Sequence, residues 1–155
     1  MTKVLGPLTL GLVLIGGSVA LTLALSTGAT SVSAQSTPNG QIHATKECSQ
    51  NKGAAGDFCT ITSSDLAEIA VGAKVFYDQA AGIPAGLLDS NVVLDAGNGN
   101  RAIGRCTLDL TTGLGRYSFS DGTGQLAGIS ARVDVDCTSG CHWDGTYSFS
   151  PTPGS

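Results

Sequence analysis

Five cysteines are the residues of this chain whose chemistry is easiest to anticipate. In an exported domain cysteines form disulfides, and an odd number leaves one thiol over. Cys137 and Cys141 flank a three-residue loop, so a bridge between them is geometrically possible. A disulfide between Cys48 and Cys59 would link the predicted strand at 58–62 to the segment that precedes it. This pairing leaves Cys106 as a buried thiol, although five cysteines also allow other pairings.

Cys137, Cys141 and His142 also form part of a possible metal site. A structural zinc takes four ligands, and only His43 or Cys106 remains to complete the set. Because an exported protein favours disulfides, no metal is expected. Cys106 could act as a nucleophile only beside a base, and no Cys/His spacing in the chain provides one.

Asp134, Asp136 and Asp144 share the polar faces of two neighbouring predicted strands, with Arg132 close by. Paired carboxylates can divide the roles of acid and base when burial separates their pKa values. A solvated strand face with one ion pair explains the same residues more simply. No catalytic residue is therefore assigned.

The aromatic side chains are the remaining candidates for a site. If their strands enclose a ligand, these side chains and one cysteine would line it, and a tyrosine hydroxyl would orient the guest. The candidate lining residues are Tyr77, Cys106, Tyr117, Phe119, Trp143 and Tyr147. Within this set, Tyr77 and Tyr147 are the expected acid/base groups. Core packing alone also explains these residues.

Residues 116–151 contain the clearest strand pattern that would position these groups. Apolar and polar residues alternate over 129–137 and over 143–150, which is typical of strands with one buried and one solvated face. Gly140 suits the tight loop between them. Tyr117 and Phe119 alternate with serines before a Gly-rich break. The stretch predicts three strands of an antiparallel meander.

Shorter strands are predicted at 58–62, 74–78, 91–95 and 102–110, and Ser63 or Ser64 could cap a single helical turn. Seven or eight short strands with almost no helix predict an all-β fold. We therefore expect a small antiparallel β-barrel of about eight strands, with a β-sandwich as the alternative.

The chain divides into four predicted segments. Residues 1–34 form a signal peptide, with an apolar run at 4–25 and cleavage expected after Ala34; an uncleaved membrane anchor is the alternative. The other segments are a flexible leader at 35–57, the barrel domain at 58–151 and a C-terminal tail at 152–155. The mature protein is thus expected to be secreted.

Composition excludes several classes of function. The formal net charge is −4 and Lys and Arg form no cluster in the sequence, so no nucleic-acid partner is expected, and no membrane partner after signal cleavage. Only 13% of residues are charged, and the chain has two histidines and no recognisable cofactor motif. We expect no cofactor, and the oligomeric state is left open.

Five segments carry a combination of motifs that goes beyond composition. They are 58–64 (FCTITSS), 92–100 (VVLDAGNGN), 104–106 (GRC), 121–128 (DGTGQLAG) and 142–151 (HWDGTYSFSP). Together they resemble a group of small secreted bacterial proteins of undefined function. The resemblance implies a cysteine where this chain has Tyr117, so that Cys106 lacks its usual partner.

The Gly-Thr-Gly element at 122–124, followed by a strand, is also similar to the allene oxide cyclase and dirigent barrels. That resemblance implies a calycin-like barrel of eight antiparallel strands whose interior can hold a small apolar ligand. In those relatives the barrel steers a reactive substrate mostly by its shape. No catalytic residue is carried over to a position of this chain.

Three hypotheses on function follow. The first is a non-catalytic secreted barrel that binds a small apolar molecule or acts as a surface module, and the scarcity of catalytic residue types favours it. The second is a cyclase-like or dirigent-like enzyme, which needs little beyond a shaped cavity. The third is a secreted factor that engages other proteins. A roomy interior with a convergent Tyr or Asp would support the enzyme, whereas a filled interior leaves only outer-surface interactions.

Overall fold

A computed structural model describes residues 39–150 as a closed barrel of eight antiparallel strands in which each strand pairs with its neighbours in sequence and β8 pairs with β1. The strands are β1 (Asn39–Glu47), β2 (Phe58–Ser64), β3 (Lys74–Tyr77), β4 (Leu87–Asp95), β5 (Arg101–Asp109), β6 (Leu114–Thr123), β7 (Ile129–Asp136) and β8 (Cys141–Phe149). The predicted all-β barrel is confirmed, and the closed ring of strands excludes the sandwich.

Two predicted segments, the signal peptide at 1–34 and the tail at 152–155, lie outside the described residues. Within 39–150, no helix is long and apolar enough to span a bilayer.

The prediction of a flexible leader is wrong for Asn39–Glu47, which forms β1 and closes the barrel between β2 and β8. Its inward positions are Ile42, Ala44 and Lys46, all buried. A small residue and a charged residue among these positions hide the alternation that marks the other strands. The barrel domain therefore begins at the first described residues.

Strict alternation in β7 confirms the predicted pattern, because every second residue of Ile129–Asp136 is buried. In an eight-stranded barrel the interior is just wide enough for side chains to fill it. The largest fully buried side chains here are Trp143, Tyr77, Tyr117, Ile42, Ile61, Ile69, Leu94 and Leu126. These side chains form a single core inside the ring.

Two local predictions differ from the structure. After Ser64 the chain makes turns, so the helical turn predicted there is absent from the described residues, whose one helical element is the 3₁₀ turn Gly124–Leu126. The predicted break near Asp121 is a bulge: β6 continues to Thr123, while the β5–β6 register shifts between Ala102 and Ile103. Asp121 takes a φ of 56°, a left-handed conformation that Asp tolerates better than most residues.

The predicted disulfide pairing is confirmed. Cys48 bonds to Cys59 and Cys137 bonds to Cys141, while Cys106 is an unpaired, buried thiol. In an antiparallel meander the odd strands all end on one side, so both bridges lie at the same end of the barrel. With their sulfurs bonded to each other, Cys137 and Cys141 are not free to hold a metal. Two disulfides fit an extracellular protein.

Candidate functional site

Lys46 is the most unusual residue inside the barrel. The alternation of β1 directs its side chain inward, where the residue is only 5% exposed. Its Nζ donates hydrogen bonds to the hydroxyl oxygens of Tyr77 at 2.9 Å and Tyr117 at 2.6 Å. Lysine is almost never buried to this degree without polar partners, so these two tyrosines explain how it is accommodated.

The two tyrosine hydroxyls also bond to each other, with 2.7 Å between their oxygens. Tyr77 donates its proton to Cys59 Sγ at 3.3 Å. Because the one Tyr77 hydroxyl hydrogen points to Cys59, Tyr117 is the donor between the two hydroxyls, and each hydroxyl oxygen accepts a hydrogen bond from the Lys46 amine. The amine, through two of its three N–H groups, and both hydroxyls thereby form one hydrogen-bonded network, which we call the Lys46 cluster (Lys46, Tyr77 and Tyr117).

Aromatic rings surround the amine. Lys46 Nζ lies 4.6 Å from the ring centroid of Tyr117, 5.6 Å from that of Tyr77 and 5.5 Å from that of Trp143. The negative faces of such rings attract a cation, and the attraction is stronger where water is excluded. The barrel interior therefore stabilises the charged amine through ring faces as well as hydroxyl oxygens.

Burial shifts the proton affinities of the whole cluster. It lowers the pKa of Lys46 to about 8, because removing the amine from water disfavours its charged form. The same loss of hydration raises the pKa values of Tyr77 and Tyr117, so both hydroxyls keep their protons at neutral pH. Lys46 is thus mainly charged at pH 7, and its charge is lost in mildly alkaline solution.

Cys106 lies beside the cluster as a packed thiol. It is directly opposite Tyr117 in the β5–β6 register and is fully buried. Burial is the main cause that raises the pKa of the Cys106 thiol, so the reactive thiolate is disfavoured. This environment is typical of a structural cysteine.

Five of the six predicted lining residues come together in the interior. Tyr117 and Trp143 have ring centroids 4.8 Å apart, Phe119 and Trp143 are 5.6 Å apart, and Tyr77 and Cys106 lie beside Tyr117. Rings this close are in contact, so a guest between them would have to push them apart.

Tyr147 does not join this group. It is half-buried, lies opposite Gly40 in the β1–β8 register and packs edge-on against Phe149, with 5.8 Å between ring centroids. The hydroxyl pair inside the barrel is thus Tyr77 with Tyr117, whereas Tyr77 with Tyr147 was predicted.

Lys46, the residue around which the interior polar groups are organised, was not among the predicted site residues. The signal was the spacing of Ile42, Ala44 and Lys46, which places the lysine on the inward face once β1 is recognised as a strand. Because the segment was interpreted as a leader, no inward direction could be assigned to the lysine.

A second group of reactive residue types lies on the outer face of β1, β2 and β8. His43 Nδ1 is 2.6 Å from an Asp144 oxygen, and this hydrogen bond raises the pKa of His43. Ser63 lies nearby, but its hydroxyl bonds to that of Thr45 at 2.6 Å. The His43 and Asp144 side chains are 60% and 67% exposed, so water competes for both partners. The arrangement is a solvated ion pair when His43 is protonated.

The outer face of β5, β6 and β7 holds a groove lined by three arginines. Its cavity measures about 370 Å³, and its lining residues are Arg105, Thr107, Arg116, Ser118 and Arg132. These positions point away from the core and are all exposed. The outer surface thus concentrates positive charge at one place on a chain whose net charge is −4.

Comparison of the chain with protein-family models, with curated proteins and with solved structures found no match. The geometry of the barrel is therefore the basis for assigning a function.

Proposed function

We propose that this protein is an exported, non-catalytic barrel that acts through its outer surface. The observation that carries this proposal is the buried Lys46 cluster, whose amine and hydroxyls hydrogen-bond to one another within a core of contacting rings. An enzyme of a shape-steering kind needs a cavity with polar groups that are available to a substrate. In this interior the Lys46 amine and the two hydroxyls already have partners, and among the described residues only the Trp143 indole N–H has none.

An apolar ligand in the interior would also be energetically unfavourable beside Lys46. Such a guest would have to separate the rings of Tyr117 and Trp143, which surround the amine. It offers no acceptor in exchange, and a buried amine that loses its acceptors costs about 3 kcal/mol. The cluster therefore disfavours the small apolar ligand that a barrel of this size could otherwise hold.

The disulfides and the N-terminal sequence support the proposal of export. Disulfides persist in oxidising compartments, and the described domain holds two, Cys48–Cys59 and Cys137–Cys141. The apolar run and the small residues ending at Ala34 would supply the signal for secretion. In this proposal, cleavage after Ala34 releases the mature domain outside the cell.

The single tryptophan provides a direct test of the filled interior. Trp143 is the only tryptophan of the chain and is 1% exposed inside the barrel, so its fluorescence reports on the core alone. We expect no saturable change in emission when the protein is titrated with a fatty acid, a retinoid and a flat aromatic dye. A saturable change at low micromolar ligand would contradict the proposal.

A barrel enzyme of the cyclase or dirigent type is the second candidate. The observation that favours it is the convergence of an amine of lowered pKa and two hydroxyls inside a barrel, since perturbed titratable groups cluster at active sites. The similarity of residues 122–124 to those barrels agrees with it. This candidate requires the interior to open to a substrate.

Reductive methylation distinguishes the two candidates. Lys52 and Lys74 are exposed and serve as internal controls, whereas Lys46 is buried. If the interior is closed, formaldehyde with a mild hydride donor should modify both controls long before Lys46, as measured by peptide mass spectrometry. Modification of Lys46 at a rate comparable to that of the controls would favour the enzyme.

A further inference from the structure

We propose that the arginine groove (Arg105, Thr107, Arg116, Ser118 and Arg132) is a binding site for an acidic saccharide, whose carboxylate or sulfate group contacts the guanidinium groups. The inference deepens the proposed function, because it assigns a ligand to the outer surface. Three of the four arginines in the chain lie in this groove. The sequence alone gives no sign of this cluster, because the three arginines are separated from one another along the chain.

The barrel brings the arginines together through strand register. Arg105 on β5 is directly opposite Ser118 on β6, and Ser118 is directly opposite Arg132 on β7. Thr107 on β5 and Arg116 on β6, which also face outward, are directly opposite each other. Neighbouring strands are about 4.8 Å apart, so Arg105 and Arg132 flank the serine across about 10 Å of sheet. That spacing suits a ligand of the size of one sugar ring.

Two carboxylates orient the groove without neutralising it. Asp89 accepts a hydrogen bond from Arg105 at 2.7 Å, and Asp134 lies 2.6 Å from an Arg116 nitrogen. Each guanidinium has five N–H donors, so several remain available at both residues.

Arg132 contributes the positive charge that remains. Within residues 39–150 no carboxylate lies within ion-pair distance of its guanidinium. Three positive and two negative side chains leave an excess of one positive charge at the groove. A ligand with a single negative charge would balance it.

The lining favours a saccharide over other anions. At about 370 Å³ the groove is several times larger than one inorganic oxyanion. Ser118 adds a hydroxyl that can exchange hydrogen bonds with sugar hydroxyls, and Thr107, whose hydroxyl donates to Asp89, adds an acceptor. The lining has no aromatic side chain on which a nucleobase could stack. An acidic sugar uses both the guanidinium and the hydroxyl groups.

The test compares Arg132→Gln with Arg101→Gln. Glutamine keeps a polar side chain but removes the charge, and Arg101 is a matched control because it is an exposed β5 arginine outside the groove. The probe is a tetrasaccharide of alternating glucuronate and N-acetylglucosamine, and neutral chitotetraose is the uncharged counterpart. Binding to the full mature chain is followed by ¹⁵N-resolved NMR shifts at low salt.

We expect the acidic tetrasaccharide to shift the amide signals of β5, β6 and β7 in a saturable way. Arg132→Gln should weaken binding about tenfold and Arg101→Gln less than about twofold, since one charge-assisted contact is lost only in the first variant. Raising the salt concentration should weaken binding further. Thermal unfolding of both variants confirms that they fold.

Three outcomes would overturn the inference. They are equal loss of binding in both variants, equal binding of chitotetraose, or binding of inorganic sulfate as tight as that of the tetrasaccharide, which would indicate a simple ion site. The Trp143 titration tests the filled interior separately. Ligand binding in the interior would therefore contradict the proposed function. It would not affect the inference about the arginine groove, which the saccharide titration tests.

Discussion

At the scale of single residues, Lys46 is both the least expected feature of the core and the easiest to test. Replacing buried charged groups by apolar ones of similar size is often neutral or stabilising. In this core the Tyr77 and Tyr117 hydroxyls can still bond to each other, 2.7 Å apart, when the amine is removed. Lys46 is therefore not needed to satisfy its neighbours, and we expect it to lower the free energy of unfolding at neutral pH.

The pH dependence of the free energy of unfolding should show that the buried Lys46 amine has a lowered pKa. The pKa of this amine is about 8 in the folded protein, against an ordinary value of 10.5. Between these values the unfolded chain holds a proton that the folded chain has lost, so raising the pH favours folding. For this group we expect the free energy of unfolding to rise by about 1 kcal/mol from pH 7 to pH 9.

Lys46→Met is the matched variant for this measurement. Methionine fills a similar volume without a charge, so the difference in urea stability between the two proteins isolates the lysine from Cys106 and other titrating groups. The variant should be at least as stable at pH 7, and its advantage should shrink by pH 9. An advantage that does not change with pH would show that Lys46 is not a buried cation.

Trp143 tests the packing of the same core. Its ring contacts Tyr117 and Phe119, and the residue is 1% exposed. Trp143→Ala should lower the free energy of unfolding by about 3–5 kcal/mol, because it leaves a large cavity.

Trp143→Phe is the control for that variant. It keeps a ring and removes an indole N–H that has no hydrogen-bond partner in the described structure, so its cost should be much smaller. Urea unfolding followed by circular dichroism measures both variants. A midpoint for Trp143→Ala equal to that of the wild type would show that the ring is not part of the core.

At the scale of elements, the strands that could be predicted are those whose inward positions are apolar. Ile129–Asp136 alternates without exception and was located correctly, as was the hairpin closed by Cys137 and Cys141. β1 was missed because Ala44 and Lys46 occupy inward positions next to Ile42. Pairing with both β2 and β8 determines which residues of β1 face the interior. This is a tertiary effect that the local sequence pattern does not show.

The same reasoning explains what could be learned of the candidate site. Tyr117 and Trp143 were recognisable because they alternate with polar residues in strands, and Tyr77 because it lies in a short segment typical of a strand. The polar centre of the site could not be predicted without β1. The arginine groove was equally hidden, because Arg105, Arg116 and Arg132 meet only through the register of three strands.

The two disulfides at one end of the barrel give a prediction for the elements that they join. With Cys48–Cys59 and Cys137–Cys141 formed, only Cys106 should react with a maleimide after unfolding without reductant. In the folded protein, burial should protect Cys106 as well. Intact mass spectrometry counts the labels, and three or five labels on the unfolded chain would contradict the pairing.

At the scale of the whole molecule, the closed ring of strands separates two surfaces with different chemical composition. The inner surface is a packed core with a satisfied polar cluster, and the outer surface carries the arginine groove. An outward row of Phe58, Phe76, Val93 and Ile103, in register across β2 to β5, adds an apolar strip on another part of the outside. The outer surface therefore presents both charged and apolar groups to solvent, whereas the polar groups of the interior are buried.

Native mass spectrometry of the protein purified from its own culture supernatant tests this account most directly. It reports the first residue of the chain, the number of disulfides and any small molecule carried in the barrel in one experiment. We expect a mass that begins at Gln35, includes two disulfides and carries no apolar ligand. A bound apolar molecule that survives high salt, and so is not held in the arginine groove, would contradict the closed interior.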